Sequence, residues 1–296
     1  MNTKPDCSVS EAQYYVRCGD TVRCTLCPVQ CRLAPGRTGF CRARTHRGGV
    51  LAADTYGFVS ALALDPIEKK PLYHFHPNKQ ILSLGGWGCN MRCPYCQNHS
   101  IAMRGMPSDQ AVRKLTPAQA ARQAADAAAL GNIGLAYTYN EPVIAYEYVR
   151  DCARAVREAG MLNVLVTNGF ISEEPWSALL DWTDAVNIDW KTGSASAYRE
   201  LGADIAQVRR NLAAAVSRCH VEVTVLVVPG FNDSEAEMHQ TAAFLASLDP
   251  DIPLHLSRFF PRHRMADRLP TPVETLLRLQ KTAQNHLRYV YTGNMP

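Results

Sequence analysis

From residue 80 onward the chain alternates short apolar, β-branched runs with amphipathic stretches. The runs QILSLGG (80–86), IGLAYTY (133–139), NVLVT (163–167), AVNIDW (185–190), VEVTVLVV (221–228) and PLHLSRF (253–259) read as strands. Their apolar character is mostly continuous, which suits strands buried on both faces of a parallel sheet. YVYTG (289–293) reads as a short seventh strand.

The stretches between them carry helix signals. Thr116-Pro117-Ala118-Gln119 supplies an N-cap, a proline at the first helical position and a capping-box glutamine. Ser234 with Glu237, and Thr271-Pro272 with Glu274, repeat that logic, and Gly131 marks where the first of these helices stops. Further helices are predicted over 143–159, 173–181 and 205–218. Six β-then-α units with right-handed crossovers predict an α/β fold, an incomplete (β/α)6 TIM-like barrel with its ligands at the C-terminal strand ends. The expected division is a small N-terminal cysteine-rich, metal-binding segment (1–78) and a barrel core (79–296).

Composition narrows the class. Of 296 residues, 47% are hydrophobic and 20% charged, which suits a packed core and excludes a disordered chain. The longest apolar stretches, such as VTVLVVP (223–229), have strand length, so no membrane partner is predicted. The polar start MNTKPDC lacks the apolar core of a secretory signal, so the expected location is cytoplasmic. A net charge of +4 with scattered basic residues argues against a nucleic-acid partner. The densest basic stretch, RFFPRHR (258–264), reads as a solvated loop, or as a contact for an anionic group on a small ligand.

Cysteine placement changes the picture most. Seven of the eleven cysteines fall in two tight windows, which in a cytosolic chain points to metal. Cys24, Cys27, Cys31 and Cys41 offer four thiolates, a closed shell suited to a structural or electron-relaying site. Zinc and a second [4Fe–4S] cluster fit that spacing equally. Cys89, Cys93 and Cys96 offer only three, directly after the first barrel strand. Three thiolates hold three irons of a [4Fe–4S] cube and leave the fourth open to a ligand. A zinc knuckle borrowing a distant fourth ligand is the alternative. Cys7 and Cys18 are spare ligands or unrelated, and Cys152 and Cys219 read as small buried hydrophobes in helical patterns.

The polar residues after the other strands also have two readings each. Asn140 and Glu141 either cap the helix that follows or grip an ammonium group. Thr167 and Asn168 line a pocket or shape the turn through Gly169. Asp189 and Lys191 share one face of their strand, as a salt bridge or as ligand contacts. His255 shares a face with Ser257, in a structural or a ligand-facing role.

The cysteine loop GCNMRCPYCQN (88–98), with an aromatic before its last cysteine, resembles the radical S-adenosylmethionine (SAM) superfamily. The wording DPIEKKPLYHFHP (65–77), AYTYNEP (136–142), TNGF (167–170), NIDWK (187–191), VVPGFND (227–233), HLSRFFPRHRM (255–265) and YVYTGN (289–294) is similar to its AmmeMemoRadiSam branch. That branch is related to the activating enzymes of pyruvate formate-lyase and other glycyl-radical enzymes. The resemblance implies that Cys89, Cys93 and Cys96 bind a [4Fe–4S] cluster whose open iron chelates SAM. It implies that Asn140 and Glu141 hold the amino group of SAM, and that Asp189 and Lys191 contact SAM, Asp189 also holding a monovalent cation. It places His255, and the backbone of 225–229, near the adenosine.

The implied activity is reductive cleavage of SAM to a 5′-deoxyadenosyl radical, which takes hydrogen from a protein or small-molecule substrate. Activation of a glycyl-radical enzyme is one form of it, and flavodoxin or ferredoxin the kind of electron donor expected. The contrasting reading is a non-catalytic iron–sulfur electron carrier or metal-binding scaffold. The polar residues after strands two and four argue against it, since a carrier needs no SAM cradle. The branch often continues past the GN of YVYTGN into a cysteine-containing tail, whereas this sequence ends at Met295-Pro296.

Overall fold

The computed structural model describes residues 10–105 and 112–295, so Cys7 lies outside the described residues. Two small antiparallel units come first. One is the sheet of β1 (Tyr15–Cys18), β2 (Thr21–Cys24) and β3 (Arg32–Leu33). The other is the hairpin of β4 (Arg44–Arg47) and β5 (Val50–Ala53), which turns on Gly48 and Gly49, both at positive φ. Two consecutive left-handed residues give the turn whose twist matches paired strands, and glycine adopts that backbone without steric cost.

Next come β6 (Phe58–Val59), β7 (Ala61–Pro66), β8 (Gln80–Gly85), α1 (His99–Ala102) and β9 (Arg113–Lys114), the last pairing back to β6. Strands and helices then alternate through α2 (Pro117–Asp126), β10 (Asn132–Tyr137), α3 (Tyr146–Glu158), β11 (Leu162–Thr167), α4 (Glu173–Leu180) and β12 (Ala185–Asp189). The remainder is α5 (Ala195–Glu200), α6 (Ile205–Val216), β13 (His220–Val227), α7 (Glu235–Leu248), β14 (Leu254–Arg258), α8 (Val273–Ala283) and β15 (Val290–Gly293).

The main sheet runs β15-β14-β13-β12-β11-β10-β8-β7. All its pairs are parallel except β7 with β8. Among the described residues β15 and β7 do not pair, so the barrel is open, as the count of six units predicts. Both faces are covered: Ala185, Val186, Asn187 and Ile188, successive residues of β12, are all fully buried. Val186 and Ile188 each contribute about 1.5–3 kcal/mol on leaving water.

The boundary expected at residue 78 does not divide the structure there. β7 is a full member of the barrel sheet, and the segment after it packs across the N-terminal strand ends. The amides of Tyr73 and His74 donate to Glu222 in β13, at 2.9 and 2.7 Å. Asn187 Nδ2 in β12 donates to the Pro71 carbonyl at 2.7 Å, and Ile67 and Leu72 pack with Ile81, Ala136, Val164 and Ala185. The hydrophobic pattern marks only elements with long apolar runs, and this plug has none.

The helix signals hold in two cases and shift in a third. Thr116 and Gln119 form the capping box, and Gly131 ends the following 3-10 turn at φ 84°. Ser234 accepts the amide of Glu237, but the Glu237 carboxylate turns instead to Thr192 Oγ1 (2.7 Å) and the Gly193 amide (2.6 Å). Thr271 does not cap α8. Fully buried, it spends its hydroxyl on strand ends, donating to Val227 O at 2.6 Å and accepting from Phe259 N at 3.2 Å. Cys152 is buried in α3, whereas Cys219 is half-buried in the turn between α6 and β13.

Candidate active site

A cavity of about 340 Å³ opens at the C-terminal strand ends. Cys89, Cys93 and Cys96 line it from the loop after β8, facing Asn140, Glu141, Asn168, Asp189 and Lys191 from the loops after β10, β11 and β12.

The loop is held by its backbone. Gly88 sits at φ 83°, and a Cβ there would lie 2.2 Å from the Cys41 carbonyl oxygen. That close approach lets Cys89 N donate to Cys41 O at 3.2 Å. Asn140 braces the same turn. Its Oδ1 accepts from Gly86 N at 2.9 Å, and its Nδ2 donates to Trp87 O and Gly88 O, each at 3.1 Å. Asn140 lines the cavity, yet its amide shapes the cysteine loop.

The thiols form a donor set that fits a metal. Burial pushes the Cys93 thiol up to about 11 and Cys89 well above its ordinary range, with Cys96 adding to the first and Glu141 and Cys93 to the second. A cation removes that penalty. The Met91 amide donates to Cys89 Sγ at 3.3 Å, and Asn168 Nδ2 approaches the same sulfur at 3.7 Å.

Glu141 is the most constrained of the polar residues. Oε1 accepts from Thr167 Oγ1 at 2.6 Å and from Val143 N at 3.2 Å, and Oε2 accepts from Asn168 N at 2.8 Å. It therefore caps the turn at Pro142–Ala145 while it lines the cavity. Burial raises its carboxyl to about 7 against those hydrogen bonds. Asp189 Oδ2 meets Lys191 Nζ at 3.0 Å, with the lysine side chain 18% exposed, so this pair lies in the cavity wall. Asp189 and Cys93 hold the Lys191 ammonium charged against its burial.

Other predicted residues stand apart from the cavity. Thr167 is buried behind Glu141 and positions it. His255 lies below Ser257, which does line the cavity, and pairs with Glu222 Oε2 at 2.6 Å while stacking on Tyr291. The alternation that puts His255 and Ser257 on one face does not say which layer opens to the cavity. Arg258 donates to Thr271 O at 2.7 Å, and neither it nor Arg262 nor Arg264 is in the lining.

The cavity also receives residues that the strand pattern does not reveal. Lys69, Lys70 and Tyr139 line it, gathered around Asp65. Asp65 Oδ2 accepts from Lys70 Nζ at 2.8 Å and Tyr139 O–H at 2.7 Å, while Oδ1 accepts from Lys69 at 3.3 Å. Tyr139 reaches down by adopting φ 69°, a backbone that costs a non-glycine residue about 1–3 kcal/mol. Gly85 leaves room for it, since a Cβ there would come within 2.6 Å of Thr138 O. The sequence signals for this cluster are the DPIEKKP and AYTYNEP wordings, and neither gives Asp65, Lys69, Lys70 or Tyr139 a role.

An open parallel barrel with three thiols on its first loop, facing polar groups at the next strand ends, defines the class. The profile of the Radical SAM superfamily matches residues 86–243, and the chain belongs to that family. Membership implies a [4Fe–4S] cluster and SAM. The uncharacterized protein MJ0808 of Methanocaldococcus jannaschii is 40% identical over 298 residues, covering 97% of this chain and 85% of that one. Pyruvate formate-lyase 1-activating enzyme of Escherichia coli K12 is 27% identical over 161 residues, 53% of this chain and 65% of the enzyme.

Among solved structures, Streptococcus suis SuiB bound to precursor peptide SuiA aligns with a TM-score of 0.54 at 13% identity, over 77% of this chain and 51% of SuiB. TYW1 with a lysine-pyruvate adduct bound aligns at 0.51 and 13%, over 93% of this chain and 87% of TYW1. These two likenesses show the fold alone. No helix of the described residues is long and apolar enough to cross a membrane.

Proposed function

We propose that the protein is a radical SAM oxidoreductase that cleaves SAM reductively and takes a hydrogen atom from a protein substrate. The observation that carries this is the shared cavity: three thiols and a buried carboxylate, amide and ion pair face one volume of about 340 Å³. When bound at Cys89, Cys93 and Cys96, the cluster supplies the electron that splits SAM into methionine and a 5′-deoxyadenosyl radical.

The chain's own residues bind and orient. Glu141, fixed by Thr167 and Asn168, offers a carboxylate to the SAM ammonium group. Lys191 offers a charged donor to the SAM carboxylate or a ribose hydroxyl, and Asp189 is the residue for a monovalent cation. Met91, Tyr95, Val166 and Leu226 supply apolar wall that keeps water from the reacting atoms.

At the floor, Lys69 and Lys70 share the single carboxylate of Asp65, which leaves surplus positive charge facing the cavity. That favours a substrate with an anionic group near its hydrogen donor. The likeness to the activating enzyme supports a glycyl-radical partner as the protein substrate. Anaerobically reconstituted protein given SAM and a strong one-electron reductant is expected to release 5′-deoxyadenosine. Absence of that product overturns the reading, and a stable glycyl radical detected by EPR on a co-encoded partner identifies the activase form.

A further inference from the structure

A second group of thiols lies apart from the SAM cavity. Cys24, Cys27, Cys31 and Cys41 line one small cavity, all of them free thiols, within an apolar wall that includes Leu26, Val29 and Ile144. A backbone amide points into this group of sulfurs: Phe40 N donates to Cys31 Sγ at 3.3 Å. The Cys89 loop uses the same device, with the amide of Met91 on Cys89 Sγ at 3.3 Å. Amides aimed at sulfur stabilise thiolates and tune the clusters they hold.

The spacing distinguishes a cluster from a single ion. Thiolates around one zinc, with Zn–S about 2.3 Å, sit about 3.8 Å apart at the corners of a tetrahedron. Among the described residues no three His, Cys, Asp or Glu side chains converge closely enough to share an ion, although these four thiols face one cavity. Cys89, Cys93 and Cys96, whose family implies a cluster, likewise form no single-ion group among the described residues. A cluster gives each thiolate its own iron and so takes the wider arrangement.

We propose that Cys24, Cys27, Cys31 and Cys41 hold a second iron–sulfur cluster, fully ligated by protein and seated against the loop that carries the first. The two sites share a wall. Cys41 O accepts from Cys89 N, and Arg92 donates to Phe40 O while its guanidinium lies 3.6 Å from the Phe40 ring centre. Asn90, fully buried, lines the four-thiol cavity and accepts from Asn168 Nδ2 at 2.9 Å, and Asn168 faces the SAM cavity. The four-thiol site stands on its own residues, and the description of its neighbour as a cluster rests on family membership.

The test is a metal and sulfide count on the full chain, reconstituted anaerobically with iron and sulfide. Wild-type protein is expected to hold about eight irons and eight sulfides, and the variant Cys89→Ala/Cys93→Ala/Cys96→Ala about four of each. The reduced variant should give an EPR signal that SAM does not alter. Cys24→Ser/Cys27→Ser should lose the complementary half and keep the SAM-sensitive signal. A triple variant with no iron, or wild-type protein with about four irons and one zinc, overturns the proposal. If the variants fail to fold, the wild-type count decides. A second cluster with no 5′-deoxyadenosine would leave this proposal standing and sink the proposed function instead.

Discussion

Glu147 closes both carboxylate oxygens on the guanidinium of Arg44, at 2.6 and 2.7 Å, with side chains only 4% and 1% exposed. The pair joins the cysteine-rich segment to α3 of the barrel, and Arg44 also donates to Gln13 O (2.8 Å) and Ile144 O (3.2 Å). Replacing Arg44 by Met strands a buried carboxylate, so a loss of about 3–5 kcal/mol in chemical denaturation is expected. The double variant Arg44→Met/Glu147→Leu should recover most of it. Equal losses in single and double variants would show that the unpaired charge is not the cause.

Glu222 sets an acid limit. Burial alone would raise its carboxyl, but hydrogen bonds from His220, His255 and the amides of Tyr73 and His74 overcome that and hold it at about 2, below the ordinary 4.5. A depressed carboxyl stabilises the fold above the unfolded value and loses that contribution as pH falls through the folded one. Stability should therefore drop between about pH 4.5 and 2. Glu222→Gln should cost about 1.5–3 kcal/mol at neutral pH and flatten the acid limb. An unchanged acid limb would acquit this residue.

Gly88 and Gly86 make a matched pair. Gly88→Ala places a methyl 2.2 Å from Cys41 O at φ 83°, so a loss of at least about 2 kcal/mol and poorer iron retention are expected. Gly86→Ala meets nothing closer than 3.9 Å and should be tolerated within about 0.5 kcal/mol. Thermal unfolding with an iron count on both variants checks this. Similar behaviour of the two would remove the role given to the Cys41 contact.

Glu141→Ala is expected to weaken SAM binding about 10–100-fold, in line with loss of one charge-assisted hydrogen bond. Thr167→Val, which removes the 2.6 Å bond that positions the carboxylate, should weaken it less. Equilibrium dialysis with labelled SAM measures both. Unaltered affinity in Glu141→Ala would leave the residue only its capping role.

The sequence announces the barrel because each strand is buried on two faces and reads as a continuous apolar run. Residues 80–85, 132–137 and 220–227 lie within two residues of their predicted bounds. The cavity's upper half was legible too, since residues that follow a strand in a parallel barrel face the ligand by topology. Depth was not legible. His255 and Ser257 alternate identically, yet only Ser257 reaches the cavity, because layers are set by how far strands stagger. Nor were Asp65, Lys70 and Tyr139, whose meeting depends on a left-handed backbone at Tyr139 across a sequence separation of 74 residues.

The shared wall between Cys41 and Cys89 also orders events in time. The four N-terminal cysteines leave the ribosome early, but Asn90 and Ile144, which complete their cavity, and Glu147, which fixes its Arg44, come later in the chain. Arg44 waits for Glu147, 103 residues on, and the Gln13 amide waits 134 residues for the same carboxylate. Contacts that distant are made only after the intervening loops close, which makes them late in folding. The cavity around those thiols is therefore completed only when the loops after β8 and β10, and helix α3, have docked against the N-terminal segment.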